Sequence, residues 1–141
     1  MIGFSDTAVC RGTFRVVPRS PGISLAPLGG YGERVAAAHL AADGLILLAR
    51  NWRCRYGELD LVASQPQPDV LVFCEVKTRR STRYGPPAAA VSGAKTRRIR
   101  RLAVAWMAET GTGGAEVRFD VVSVAVAPGG VVLLEHLRAA F

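Results

Sequence analysis

The apolar run Leu71-Val72-Phe73-Cys74 stops abruptly at Glu75-Val76-Lys77. A strand that is apolar on both faces belongs in the middle of a sheet with both sides covered. It therefore commits the chain to a layered fold in which other elements shield that strand. Side chains two apart on a strand share a face, so Glu75 and Lys77 project together. They stand at the C-terminal end of a central strand, which is where open α/β sheets place ligands.

The surrounding sequence supplies the covering layers. Helical spacing of Ala36, Ala37 and Leu40 predicts a helix over Gly30–Asp43, stopped by Gly44. Leu45–Leu48 and Glu58–Ala63 read as strands, and Gln65–Asp69 as a turn leading into a strand over Val70–Lys77. Gly57 to Lys77 is thus expected to be a hairpin. Ser81–Ser92 reads as a loop. A second helix is expected over Ala94–Glu109, with Ile99, Leu102, Ala103 and Trp106 on one face. Val117–Ala127 and Val131–Leu134 complete the set. The order predicts an α/β fold, with a central mixed β-sheet of about five strands flanked by helices. At 141 residues this is one domain. Residues 1–27 lack periodicity and read as a flexible N-terminal extension, leaving 28–141 as the folded unit.

If the hairpin strands pair, Glu58 and Asp60 come beside Glu75 and Lys77. Hard divalent cations favour such a grouping, because Mg²⁺ takes oxygen ligands and is commonly held by one or two carboxylates plus waters and a phosphate. The ammonium has a separate task, positioning a water and stabilising charge that develops on a phosphoryl oxygen. Glu33 shares the apolar face of the first helix. A carboxylate there is costly unless paired or metal-bound, although a glutamate early in a helix is also favoured by the helix dipole. The plainer alternative for Glu75-x-Lys77 is a weak ion pair on a solvated face.

The net charge of +7 suggests a polyanionic partner. Nine of the 18 basic residues lie between Lys77 and Arg101, with no acid between Glu75 and Glu109 to neutralise them. Arg97, Arg98 and Arg101 fall on the polar face of the second helix, flanked by Lys95 and Arg100. Arg79, Arg80 and Arg83 follow Lys77 directly. Arginine favours bidentate phosphate contacts, so Arg79, Arg80, Arg83, Lys95, Arg97, Arg98 and Arg101 form an expected nucleic-acid-binding surface. No element suggests base readout, which favours recognition of shape over sequence.

Cys10, Cys54 and Cys74 are odd in number and widely spaced, as in a reduced protein without a disulfide framework or structural zinc site. No stretch approaches the roughly 18 apolar residues of a membrane span, and no export signal is apparent. The expected location is cytoplasmic, with no membrane partner. His39 and His136 read as isolated surface or packing residues. Asp120 reads as a structural partner, and Trp106 as core.

Several ordered motifs carry a family resemblance over about residue 28 to the end. They are Gly29-x-x-Gly32-Glu33, Asn51-Trp52-Arg53-Cys54-Arg55-x-Gly57-Glu58-Leu59-Asp60-Leu61-Val62, and Val72-Phe73-Cys74-Glu75-Val76-Lys77-Thr78-Arg79. Tyr84-Gly85-x-x-x-x-Ala90-Val91, Lys95, Arg118-Phe119-Asp120-Val121-Val122 and the ending His136–Phe141 agree. Together they resemble the YraN-like family of bacterial proteins, itself similar to archaeal Holliday-junction resolvases and the restriction-endonuclease-like superfamily. The prolines of the 66–68 turn and Cys74 depart from the usual pattern, away from the expected ligands.

The resemblance implies a restriction-endonuclease-like fold with Glu33, Asp60, Glu75 and Lys77 in the nuclease positions. It implies a Mg²⁺-dependent (or Mn²⁺-dependent) endonuclease acting on DNA, including branched DNA. Asp60, Glu75 and the Val76 carbonyl would hold the metal, and Lys77 would orient the attacking water. A two-fold homodimer is expected by analogy with the resolvases. The competing expectation is a nucleic-acid-binding module on a nuclease fold that does not cut or needs a partner to do so.

Overall fold

The computed structural model describes residues 13–17, 28–67, 69–80 and 92–141. The elements in chain order are β1 (Thr13–Val17), α1 (Leu28–Ala42), β2 (Ile46–Cys54), β3 (Gly57–Pro66), β4 (Asp69–Arg79), α2 (Gly93–Thr110), β5 (Glu116–Val126) and β6 (Val132–Leu137). The six strands form one sheet in the order β1-β6-β5-β4-β3-β2. β4 and β5 run parallel, and every other neighbouring pair is antiparallel. This is the expected mixed α/β architecture, compatible with a restriction-endonuclease-like fold.

β4 is central, as its apolar run requires. Successive residues alternate between two cores: Val70, Val72 and Cys74 join one, Leu71 and Phe73 the other. The first core lies under α1, through Tyr31, Ala36, Ala37 and Leu40, and also takes in Val122, Val124, Val132 and Leu134. The second lies under α2, through Ile99, Leu102, Ala103 and Trp106. Trp106 packs edge-on against Phe73, which stacks on Phe119, which stacks on Phe141. A layer of helix on each side of a sheet results.

Helix α1 approaches the sheet closely at Gly32. A methyl group there would come within 1.9 Å of Thr78 Oγ1. A residue with no Cβ is what allows the first turns of α1 to rest on the C-terminal end of β4. Helix α2 starts where the Ser92 side chain accepts from the Lys95 amide at 3.2 Å, a standard N-cap. It stops at Gly111, whose left-handed backbone (φ 70°) closes the last turn.

Two features differ from the expectations. The segment read as an extension contributes β1, which pairs with β6 from Thr13↔His136 to Val17↔Val132. Without β1 the backbone of β6 would present an open edge. The expected strand over Leu45–Leu48 runs much further, to Cys54, with a register shift between Leu47 and Ala49. Arg83 and the Tyr84–Val91 motif lie outside the described residues.

Candidate active site

The β3–β4 ladder runs from Pro66↔Asp69 to Leu61↔Cys74. One residue further, Asp60 replaces a backbone acceptor: its Oδ2 accepts from the Val76 amide at 2.8 Å. Alternation on β3 also shifts at this point, since Leu59 belongs to the α2-side core and Leu61 to the α1-side core. β4 meanwhile stays paired to β5 as far as Arg79. The sheet thus loosens on one side of β4 while it is held on the other. Side chains from both helix layers reach this opening.

From the α1 layer comes Glu33, held near by the close seat of Gly32. Carboxylate oxygens of Glu33, Glu58 and Asp60 all lie within 4.8 Å of one another, and all three residues are half-buried. Glu75 adjoins this set through a hydrogen bond to Asp60. From the α2 layer comes Lys95, whose Nζ lies 2.5 Å from Glu75 Oε1. Lys77 is close to Lys95 as well as to Glu75.

The electrostatics follow from this crowding. Burial first, and then the Glu75 charge, push the Asp60 carboxyl up to about 7, against the Val76 amide that favours its ionised form. Partial burial and the Lys95 ammonium hold Lys77 below the usual lysine range, with Glu75 opposing them. A carboxyl held protonated by burial and by a neighbouring carboxylate belongs to a donor set whose charge a hard divalent cation would offset. Glu33, Glu58 and Asp60 therefore fit such an ion, with Glu75 alongside.

The expected residues divide as follows. Glu33, Asp60, Glu75 and Lys77 come together. Val76 donates its amide to Asp60 at 2.8 Å, which ties the backbone of the expected carbonyl ligand to the carboxylate set. Glu58, absent from the set of residues that the resemblance implies, lies inside the carboxylate cluster, although its Oε2 also accepts from Arg53 at 3.0 Å. Lys95, read as part of a phosphate-facing stripe, is turned to Glu75. A lysine in the first turn of a helix opposes the helix dipole, which marks it as serving something other than the helix. Arg80, Arg97, Arg98, Arg100 and Arg101 are exposed, and Arg79 is half-buried. Arg101 also lies over the Tyr56 ring at 4.0 Å, and Arg100 over Phe119 at 5.8 Å.

A second polar cluster lies under the other end of α1. His39 and His136 are buried, not surface residues, and they are not isolated: His39 Nε2 is 3.0 Å from His136 Nδ1. Asp120, fully buried, binds His136 Nε2 at 2.8 Å. Arg118 donates to it through Nε at 2.8 Å and Nη2 at 2.9 Å, and the Ala139 amide at 3.0 Å. Burial pushes the Asp120 carboxyl up, but these donors outweigh burial and hold it below the usual range. The expected structural role of Asp120 is met. Nothing local in the sequence links two histidines 97 positions apart.

Residues 32–124 match the family described as "Uncharacterised protein family UPF0102". A UPF0102 protein of Frankia alni is 58% identical over 114 residues, covering 81% of this chain and 93% of that protein. One from Nocardia farcinica is 51% identical over 114 residues (81% and 88%), and one from Rhodococcus jostii 50% (81% and 95%).

Proposed function

Because the chain belongs to the uncharacterised protein family UPF0102, whose description carries no activity, we propose from the geometry that it is a divalent-metal-dependent endonuclease that hydrolyses phosphodiester bonds in DNA, branched or structured DNA included. One observation carries the reading. Carboxylates of two elements converge within the reach of one cation, with Glu75 hydrogen-bonded to Asp60 and two ammonium groups beside it.

Glu33, Glu58 and Asp60, with Glu75 adjoining, would hold Mg²⁺ or Mn²⁺. When bound, the cation polarises a phosphoryl oxygen and eases ionisation of water. Lys77 orients the attacking water and stabilises charge on the phosphoryl oxygens as the bond to the leaving oxygen breaks. Lys95 fixes the Glu75 carboxylate and shares in holding the phosphate. Exposed Arg80, Arg97, Arg98 and Arg101, with Arg79, extend the positive surface along which a DNA backbone would lie.

Purified protein with Mg²⁺ or Mn²⁺ is expected to cut at least one of linear, nicked or four-way-junction DNA. Lys77→Ala is expected to lower the rate by roughly 10²–10³-fold, the usual cost of one preorganised donor. Cleavage undiminished in that variant would assign the activity elsewhere. Salt-sensitive binding without turnover on any of the three substrates would leave a binding module in place of a nuclease.

A further inference from the structure

We propose a second metal site, for a first-row divalent transition ion such as Zn²⁺, formed by His39, Asp43 and His136 and separate from the carboxylate cluster. His39 Nε2, His136 Nδ1 and Asp43 Oδ2 lie mutually 3.0, 3.4 and 3.9 Å apart. The circle through three points so spaced has a radius of about 2.0 Å, which equals the zinc–imidazole and zinc–carboxylate bond lengths of roughly 2.0–2.2 Å. Two imidazoles and one carboxylate are the donor set that borderline ions prefer over magnesium or calcium.

The supporting groups point the same way. His136 uses Nε2 for the Asp120 carboxylate, so a neutral His136 turns its Nδ1 lone pair towards His39 and Asp43. A carboxylate behind a histidine is the usual arrangement for orienting a metal ligand and raising its basicity. Asp120 is itself locked by Arg118, which also donates to Gln65 Oε1 at 2.8 Å. Asp43 opens onto a cleft of about 360 Å³ lined also by Gly44, Gln65, Pro66, Gln67 and Arg138. An ion could enter there and keep an exchangeable position facing solvent. Arg138 Nη2, 3.4 Å from Asp43 Oδ2, pairs with the same carboxylate from the rim. The hydrogen bond between His39 Nε2 and His136 Nδ1 spans the position the ion would take.

The test uses the full chain, stripped with a chelator and titrated with Zn²⁺ in the presence of millimolar Mg²⁺. One equivalent is expected to bind, equally in wild type and in Asp60→Asn. Asp43→Asn and His39→Gln are each expected to weaken binding by roughly tenfold or more. Asp43 is partly open to solvent, so its variant keeps the fold even if the histidine variant does not. Nitrogen-15 spectra of wild-type histidines give an independent readout: Zn²⁺ should shift His39 Nε2 and His136 Nδ1. Absence of binding, loss of binding in Asp60→Asn, or shifts confined to other nitrogens would overturn the proposal.

Discussion

Asp60 accepts from the Val76 amide and hydrogen-bonds to Glu75 within the carboxylate cluster. Its folded-state value is raised from an ordinary 3.8 to about 7 by burial and by Glu75. The contribution of such a group to folding is fully present below its unfolded value and lost as pH rises through 7. In chelator, Asp60→Asn is therefore expected to melt above wild type at pH 8, with the difference shrinking towards pH 4. Thermal unfolding at the two pH values reads this, and a difference independent of pH would contradict the environment described for Asp60. Mg²⁺ should raise the wild-type melting temperature at pH 8 and not that of the variant, because an ion that binds only the native state stabilises it by mass action. Residue types and their two-residue spacing made Asp60, Glu75 and Lys77 visible in the sequence. Spacing could not place Lys95, because helix periodicity says which face a residue occupies and nothing about what the start of the helix abuts.

The elements show where local pattern suffices and where it does not. Both helices and the β3–β4 hairpin follow from periodicity and turn residues, since their cores are built from runs such as Leu71–Cys74 and Ile99–Trp106. β1 does not, because five residues among glycines and prolines gain strand character only from pairing with β6. The histidine pair has the same origin: His39 sits on α1 and His136 on β6, and tertiary packing alone brings them together. The seat of α1 gives a direct test of how an element positions a site. Gly32→Ala should be destabilising by about 1–3 kcal/mol, as overpacking of a rigid contact usually is. The helix-propensity gain of about 0.5–1 kcal/mol from losing a glycine does not offset it. Urea denaturation measures this, and an unchanged or raised midpoint would mean that Thr78 yields freely.

For the whole molecule the question is how the positive charge is deployed. Half the basic residues fall in one stretch without acids, and the exposed members Arg97 and Arg98 project from α2 on the side away from its core. Replacing both by alanine should leave stability within about 0.5 kcal/mol, as exposed substitutions do. DNA affinity should fall, and the slope of log K against log salt should become shallower by roughly 2. Binding isotherms across a salt series check this; an unchanged slope would place the DNA elsewhere.

Helix α1 carries Glu33 in its first half and His39 in its last turn, with Asp43 immediately beyond its end, so two chemically unlike clusters are tied to one rod, Glu33 and His39 roughly 9 Å apart along its axis at 1.5 Å per residue. A rod pinned to β6 at its far end cannot slide over β4 without dragging Glu33 out of register with Asp60. Alignment of the carboxylates is thereby a property of the whole helix, and what fastens its last turn also calibrates its first.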